Sequence, residues 1–325
     1  MMVISRTPLR VSFAGGGTDL SSYYLLRGGA VTSTTINKHM YVTVNTKFDD
    51  DIRVSYSRTE IVKHVDELRH ELVREAMKLT GVTSGVEITT IADIPSRGTG
   101  LGSSSSLTVG LLNALYAYKG EYKPAHVLAE EACKIEIDIL GAPIGKQDQY
   151  AAAYGGLRHI EFLQDDSVRV SHVICTKERK KQLENNLMMF YTGITRKSTD
   201  ILSEQKKKTK DKLEYLDRMK ELSKKIMGAI SRGDLDDVGR ILHENWMLKK
   251  ELASRISNPE IDEMYEKALS AGALGGKLLG AGGGGFLLLY VPEENQPKVK
   301  EALRHLKFMK FEFEPEGSKI IYLED

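Results

Sequence analysis

Residues 95–107 read PSRGTGLGSSSSL. Glycines at 98, 100 and 102 run into serines at 103–106, and Leu107, Leu111, Leu112 and Leu115 follow at helical spacing. A helix that starts where glycines end presents unpaired N–H groups and about half a positive charge, a setting that suits a phosphate. Glycine also lets the backbone approach an anion without a Cβ in the way. Gly98, Gly100, Leu101, Gly102, Ser103, Ser104 and Ser105 are therefore candidates for gripping phosphates, the hydroxyls of Ser103 and Ser104 being suited to phosphate oxygens or to magnesium. A tight turn with an N-cap serine fits the same letters. Two familiar phosphate loops are excluded by spelling. The pattern G-x-x-x-x-G-K-[ST] occurs neither here nor at Lys277, and Ser103 stands where the dinucleotide fingerprint needs its last glycine.

Outward from this loop, the first half of the chain alternates strands and helices. Residues 3–5, 10–13, 30–36, 40–46, 52–56 and 85–91 read as strands, and 67–79 as a helix stopped by Gly81. Beyond the loop, helices are expected over 105–118 and 124–140, then strands over 156–162 and 168–174. Composition shifts near residue 180: after a strand at 187–191 the chain over 197–255 reads as mostly helical, with a break at Gly233-Asp234. The tail returns to β–α–β over 285–291, 293–306, 308–313 and 319–323. At 325 residues two domains are expected, 1–180 and 181–325.

Charge narrows the function classes. Lys+Arg 46 against Asp+Glu 45 leaves no global field to draw the chain to nucleic acid or membrane, so neither is expected as a partner and any anion must be held locally. The run QKKKTKDK at 205–212 reads as a solvated helix face. Cys133 and Cys175 are too few for a disulfide framework or a four-thiolate zinc site and read as core thiols of a reducing compartment. With no apolar leader and no stretch near the ~20 apolar residues of a membrane span, a cytoplasmic protein is expected.

Two more glycine motifs flank the loop: PLRVSFAGGGTD at 8–19 and KLLGAGGGGF at 277–286. In this order and at about these separations the three resemble the GHMP kinase superfamily of small-molecule kinases, over residues 8–286. Within it the AGGGTD spelling resembles the D-glycero-D-manno-heptose 7-phosphate kinases, whereas fucokinases have an AGGWSD version, and YTGITR at 191–196 resembles the heptose-phosphate kinase and fucokinase branch. The resemblance implies an α+β fold with an N-terminal ribosomal-protein-S5-like, ATP-binding domain and a C-terminal ferredoxin-like domain with added helices. It also implies ATP as co-substrate with Mg2+ and phosphorylation at the anomeric position of a sugar phosphate, D-glycero-D-manno-heptose 7-phosphate first. A free sugar, as in fucokinases and galactokinases, is the alternative, a non-catalytic sugar- and nucleotide-binding relative is less favoured, and a homodimer is left open.

The remaining site residues follow from residue chemistry and the resemblance together. Glu136 has Ala132, Cys133 and Leu140 as its neighbours on one helix face, an inward place where a carboxylate needs a cation. Magnesium, a hard ion, suits it, with Ser104 as the second ligand; an exposed glutamate on a charged helix fits the spacing equally. The resemblance makes Asp148 the catalytic base or hydroxyl-orienting carboxylate and Arg10 the cation beside it. Lys146, just before that aspartate, departs from galactokinases, and the sequence leaves open whether it touches substrate or water. Gly15, Gly16, Gly17, Thr18 and Asp19 are expected at the sugar, although Asp19 also fits a helix N-cap. Gly282, Gly283 and Gly284 are expected to close the site. Arg196 and Lys197 are the first candidates for the acceptor's own phosphate, with Lys38, His39 and Arg97 as alternatives.

Overall fold

The computed structural model describes residues 1–94, 98–195 and 198–324. Its N-terminal half is a mixed sheet packed by helices. Strand β1 (Met2–Ala14) pairs antiparallel along nearly its whole length with β2 (Gly29–Thr46), and α1 (Ser21–Arg27) fills the connection. The strands expected separately at 3–5 and 10–13 are one, as are those at 30–36 and 40–46. The register shifts between Pro8 and Leu9, opposite the step from Ile36 to His39, so one irregularity interrupts both hydrophobic patterns. Next come β3 (Ile52–Ser55), β4 (Thr59–Val62), α2 (Glu71–Thr80) and β5 (Val86–Ala92). Past the glycine–serine loop lie α3 (Ser103–Tyr118), α4 (Ala125–Cys133), α5 (Gln147–Tyr154), β6 (Arg158–Phe162) and β7 (Val168–His172).

The second half contains α6 (Lys177–Asn185), β8 (Leu187–Tyr191), α7 (Ser198–Lys208), α8 (Leu213–Arg232), α9 (Asp236–Lys250) and α10 (Pro259–Ser270), then β9 (Gly275–Leu278), β10 (Phe286–Tyr290), α11 (Gln296–Ala302), β11 (Lys307–Met309) and β12 (Lys319–Leu323). Its sheet runs β11-β8-β10-β9 with all pairs antiparallel, the β-α-β-β-α-β order of a ferredoxin-like unit in which a train of helices replaces the first. The whole is α+β, as expected.

An expected division at residue 180 does not take in two features. Strand β12 crosses back to pair with β1, giving the order β12-β1-β2-β5-β3-β4, with β6 on β2 and β7 on β6. The middle of the molecule is also a shared core: Leu9, Val11 and Phe13 of β1 cluster with Leu222 and Ile226 of α8 and Leu288 of β10. Burial of this apolar surface fixes the halves against each other, and with them the two glycine turns they carry. Both cysteines are free thiols, Cys133 buried and Cys175 half-buried. Among the described residues no helix is long and apolar enough to cross a membrane.

Candidate active site

Helix α3 begins at Ser103, two residues earlier than its leucines indicate, with Gly102 as N-cap at φ 76° and no side chain capping it. Gly98 and Gly100 are also left-handed, at φ 70° and 75°, a conformation that costs a residue with a Cβ about 1–2 kcal/mol. The first-turn amides of α3 thus open onto a cavity of about 520 Å³. Ser103 is buried with its hydroxyl 3.4 Å from that of Thr99, whereas Ser104 is exposed at the rim.

Arg10 comes up from β1 beneath this loop. Its Nε and Nη2 donate to Oδ1 and Oδ2 of Asp148 at 2.8 and 2.9 Å, and Nη1 donates to the Gly100 carbonyl at 2.6 Å. A fork of this kind fixes the plane and direction of the carboxylate. Asp148 sits in the first turn of α5, and a Cβ on Gly102 would lie 3.3 Å from its Oδ2 and from Arg10 Cγ. The loop therefore lies directly over the pair.

Glu136 stands on a π-helical turn, Lys134–Ile139, that continues α4, so the helix expected over 124–140 is real but widens at its end. Such turns concentrate at functional sites. The carboxylate lines the cavity and is 3% exposed. It accepts from Ser105 Oγ at 3.2 Å and Gln149 Nε2 at 3.3 Å. Burial pushes its pKa up to about 7, with the Asp148 charge adding to the effect and the Ser105, Thr108 and Gln149 donors opposing it. A buried carboxylate with hydroxyl and amide neighbours and, among the described residues, no ion pair to a cationic side chain fits a hard cation, and Ser104 and Ser105 supply oxygens beside it. Of the loop serines, Ser105 is the one that donates to Glu136, while Ser104 lines the same cavity.

Asp19 is nearly fully buried. Its Oδ1 accepts from the Gly17 amide at 2.9 Å and its Oδ2 from the Gln147 amide at 3.3 Å. It does not cap α1, whose N-cap is Leu20. Burial raises its pKa, and the Asp148 charge adds to the shift against the backbone donors. Gly16 and Gly17 share the cavity wall with it. Gly15 and Thr18, expected at the substrate, are instead parts of the turn. Thr18 Oγ1 donates to the carbonyls of Gly15 and Ala30 at 2.8 and 3.0 Å, and a Cβ on Gly15 would sit 1.9 Å from the Ala30 oxygen. Neither lines the cavity. Lys146 also points elsewhere, its Nζ donating to Asp166 Oδ1 at 2.7 Å.

The C-terminal glycine run borders the cavity. Gly282 and Gly284 line the cavity while packing on Ile256 and Ile194, and the Gly283 amide donates to the Ile256 carbonyl. The close approach to the phosphate loop is made by Gly280, where a Cβ would lie 2.5 Å from Gly100 Cα, and by Gly285, where it would lie 2.6 Å from the Thr99 oxygen. Arg196, Lys197 and Arg97 lie outside the described residues. His39 is buried against Asp93 and Glu314, and neither it nor Lys38 lines the cavity. Among the lining residues that sequence reasoning missed are Gln205 of α7 and Lys249 of α9. A signal existed for the second: Val238, Leu242, Asn245, Trp246 and Lys249 form the buried stripe of α9, and a lysine on such a stripe is out of place.

Known proteins resemble this arrangement along the whole chain. The family model for the GHMP kinases N terminal domain matches residues 61–156, and that for GHMP kinases C terminal matches 226–307. The D-glycero-alpha-D-manno-heptose 7-phosphate kinase of Campylobacter jejuni is 32% identical, the alignment covering 97% of each chain. The galactokinase of Pyrococcus furiosus is 26% identical over 94% of each. Among solved structures, a D-glycero-D-manno-heptose 1-phosphate kinase from Bacteroides thetaiotaomicron superposes with a TM-score of 0.83, at 27% identity, over 99% of this chain and 100% of that one.

Proposed function

The chain belongs to the GHMP kinase family, and on that premise we propose that it uses ATP to phosphorylate the anomeric hydroxyl of a sugar phosphate. The acceptor read here is D-glycero-D-manno-heptose 7-phosphate, the product its 1,7-bisphosphate, and the setting the synthesis of nucleotide-activated heptose in the cytoplasm. The single observation that carries the chemistry is the Arg10–Asp148 fork under the uncapped start of α3, sharing one cavity with Glu136.

The steps follow from that geometry. The amides of the glycine–serine loop and α3 hold the β- and γ-phosphates. A second cavity of about 480 Å³, whose wall carries Tyr56, His70 and Leu107 beside the polar Ser57 and Arg69, adjoins the first through Glu71 and Leu72 and is the place for the nucleotide base. Gly16, Gly17 and Asp19 hold the acceptor. Asp148 takes the proton of the attacking hydroxyl; the new oxygen–phosphorus bond forms as the bond from the γ-phosphorus to the β–γ bridging oxygen breaks, and ADP keeps that electron pair. Glu136, with the Ser104 and Ser105 hydroxyls, would hold magnesium, which when bound would supply positive charge against the phosphates. Arg10 aims the carboxylate and adds positive charge beside the transferred group.

The heptose phosphate is supported by the AGGGTD spelling at 14–19 and by the likeness to the Campylobacter jejuni enzyme. A 1-kinase acting on a free sugar is the second reading, favoured by the full-length likeness to a galactokinase. A coupled ADP-release screen of free sugars against sugar phosphates separates them. Heptose 7-phosphate is expected to give the highest kcat/KM by at least about 100-fold, because a site built for a charged group loses heavily when that group is missing. A free hexose or fucose turned over as well would overturn the sugar-phosphate reading.

A further inference from the structure

Lys249 is an ammonium placed where packing alone would put an apolar side chain. It lies on the buried stripe of α9, is 4% exposed and borders the cavity with Arg10, Asp19 and Asp148. Its Nζ donates to the Gly280 carbonyl, and among the described residues it forms no ion pair with a carboxylate. An ammonium carries three donors, so two remain for an acceptor that the described protein groups do not supply. A buried cation is costly unless something anionic meets it.

Its position relative to Arg10 is what gives this meaning. Arg10, from the N-terminal half, grips the Gly100 carbonyl; Lys249, from the C-terminal half, grips that of Gly280. Gly100 and Gly280 are the two turns that touch, since a Cβ on Gly100 would meet the Leu279 oxygen at 2.3 Å. Two cations thus hold two touching glycine turns, each by a carbonyl, on the wall of one cavity. One turn earlier on α9, Asn245 Oδ1 accepts from the Gly15 amide at 3.2 Å, so a single helix face braces both the first and the last glycine motif.

We propose that Lys249 is a further catalytic residue whose free donors bind the phosphoryl oxygens as the group passes from nucleotide to acceptor, together with Arg10. The inference rests on the phosphotransfer reading above, not on which sugar is used. Charge favours the phosphoryl group over a sugar hydroxyl: in transfer its charge spreads over three equatorial oxygens, and a second protein cation near Arg10 offsets more of it than Arg10 alone. The proton balance is unchanged, since Lys249 donates hydrogen bonds and transfers nothing.

The charged groups around Lys249 are Arg10 on β1, Asp19 in the following turn, Asp148 on α5 and Lys277 on β9. Burial first, then Arg10, lowers the ammonium to about 8, with Asp19 and Asp148 opposing. It is therefore charged below about 8 and loses its proton above, and activity that needs it falls as pH rises through that range.

The test uses Lys249→Met and Lys249→Arg in the full chain. Two measurements are made: kcat and KM in the ADP-release assay, and calorimetric binding of MgADP with and without aluminium fluoride, which mimics the phosphoryl group in flight. Lys249→Met is expected to lower kcat by about 10²–10³-fold, to bind MgADP within about threefold of wild type, and to lose the extra tightness that fluoroaluminate gives. Lys249→Arg is expected to restore part of kcat and to lack the alkaline limb of the wild-type pH profile. The proposal is overturned if Lys249→Met keeps kcat and the fluoroaluminate complex. It is equally overturned if MgADP and its fluoroaluminate complex weaken together, which marks a packing role. Should no sugar phosphate serve as acceptor, the heptose reading fails while the fluoroaluminate comparison still decides the role of Lys249; if wild type binds no ADP, both fall.

Discussion

Replacing Gly100 by alanine isolates the contact between the two glycine turns, because Gly120 provides a matched control. Both glycines are left-handed at φ 75°. Alanine in that conformation costs about 1–2 kcal/mol at either site. At Gly120 nothing lies within 4 Å of the new Cβ, so strain is the whole effect. At Gly100 the Cβ would lie 2.3 Å from the Leu279 oxygen and 2.7 Å from its carbonyl carbon. An ordinary carbon–oxygen contact is about 3.3 Å, so the turns must separate by about 1 Å. That separation works against both the Arg10–Gly100 bond at 2.6 Å and the Lys249–Gly280 bond. A misplacement of about 1 Å near the reacting atoms costs on the order of 10²-fold in rate, or about 2.7 kcal/mol of transition-state stabilisation. Steady-state kinetics by ADP release and thermal melts, run on both variants, make the comparison. Gly120→Ala is expected to melt somewhat lower with kcat/KM within about twofold of wild type, and Gly100→Ala to lose about 100-fold. If Gly100→Ala matches Gly120→Ala in kcat/KM, the touching turns do not position the reaction and the reasoning fails.

Asp148→Asn should leave ATP affinity, read by calorimetry, within a few-fold of wild type while turnover falls by about 10²–10⁴-fold; near-normal turnover would remove this carboxylate from the mechanism. Glu136→Gln keeps the shape of the side chain and its Ser105 and Gln149 neighbours, so the expected change is a rise of about tenfold or more in the magnesium concentration giving half-maximal activity. An unchanged magnesium titration would mean Glu136 does not hold the metal.

What could be read from the sequence divides along physical lines. The glycine turns and the helix that follows them were legible because glycines, hydroxyls and a helical apolar pattern are all local signals. Glu136 was legible because its helix neighbours are small or apolar, and it is indeed buried; the π-helical turn that carries it was not. Helix α5, QDQYAAAY, gave no 3.6-residue pattern because Gln149 through Ala153 are buried consecutively, on all sides of the helix. Strand β9, GGKL, has no strand propensity of its own and exists through pairing with β10. Its Gly275 is needed for a contact 36 positions away in sequence, where a Cβ would meet the Gly239 oxygen of α9 at 2.0 Å. Gly15 and Thr18 stand off the cavity for the same kind of reason: their partner is the Ala30 carbonyl on the neighbouring strand, which no local pattern marks.

The irregularity at Pro8 does more than join two predicted strands, since it determines where Arg10 points. Before it, Ser5 and Thr7 face α3: Ser5 Oγ donates to the Gly110 carbonyl at 2.8 Å, and a Cβ on Gly110 would lie 2.8 Å from Thr7 Oγ1. An unbroken pleat would keep Leu9, Val11 and Phe13 on that same side and turn Arg10 away from it. Instead those three join the core with Leu222 and Ile226 of α8, while Arg10 meets Asp148 on α5, which packs against α3. The sides exchange at the step where Pro8 pairs with His39 and Leu9 with Ile36. One local break in the ladder therefore serves both halves of the molecule. It gives the C-terminal helices an apolar strand to bury, and it brings the cation of the first motif under the glycine loop of the second.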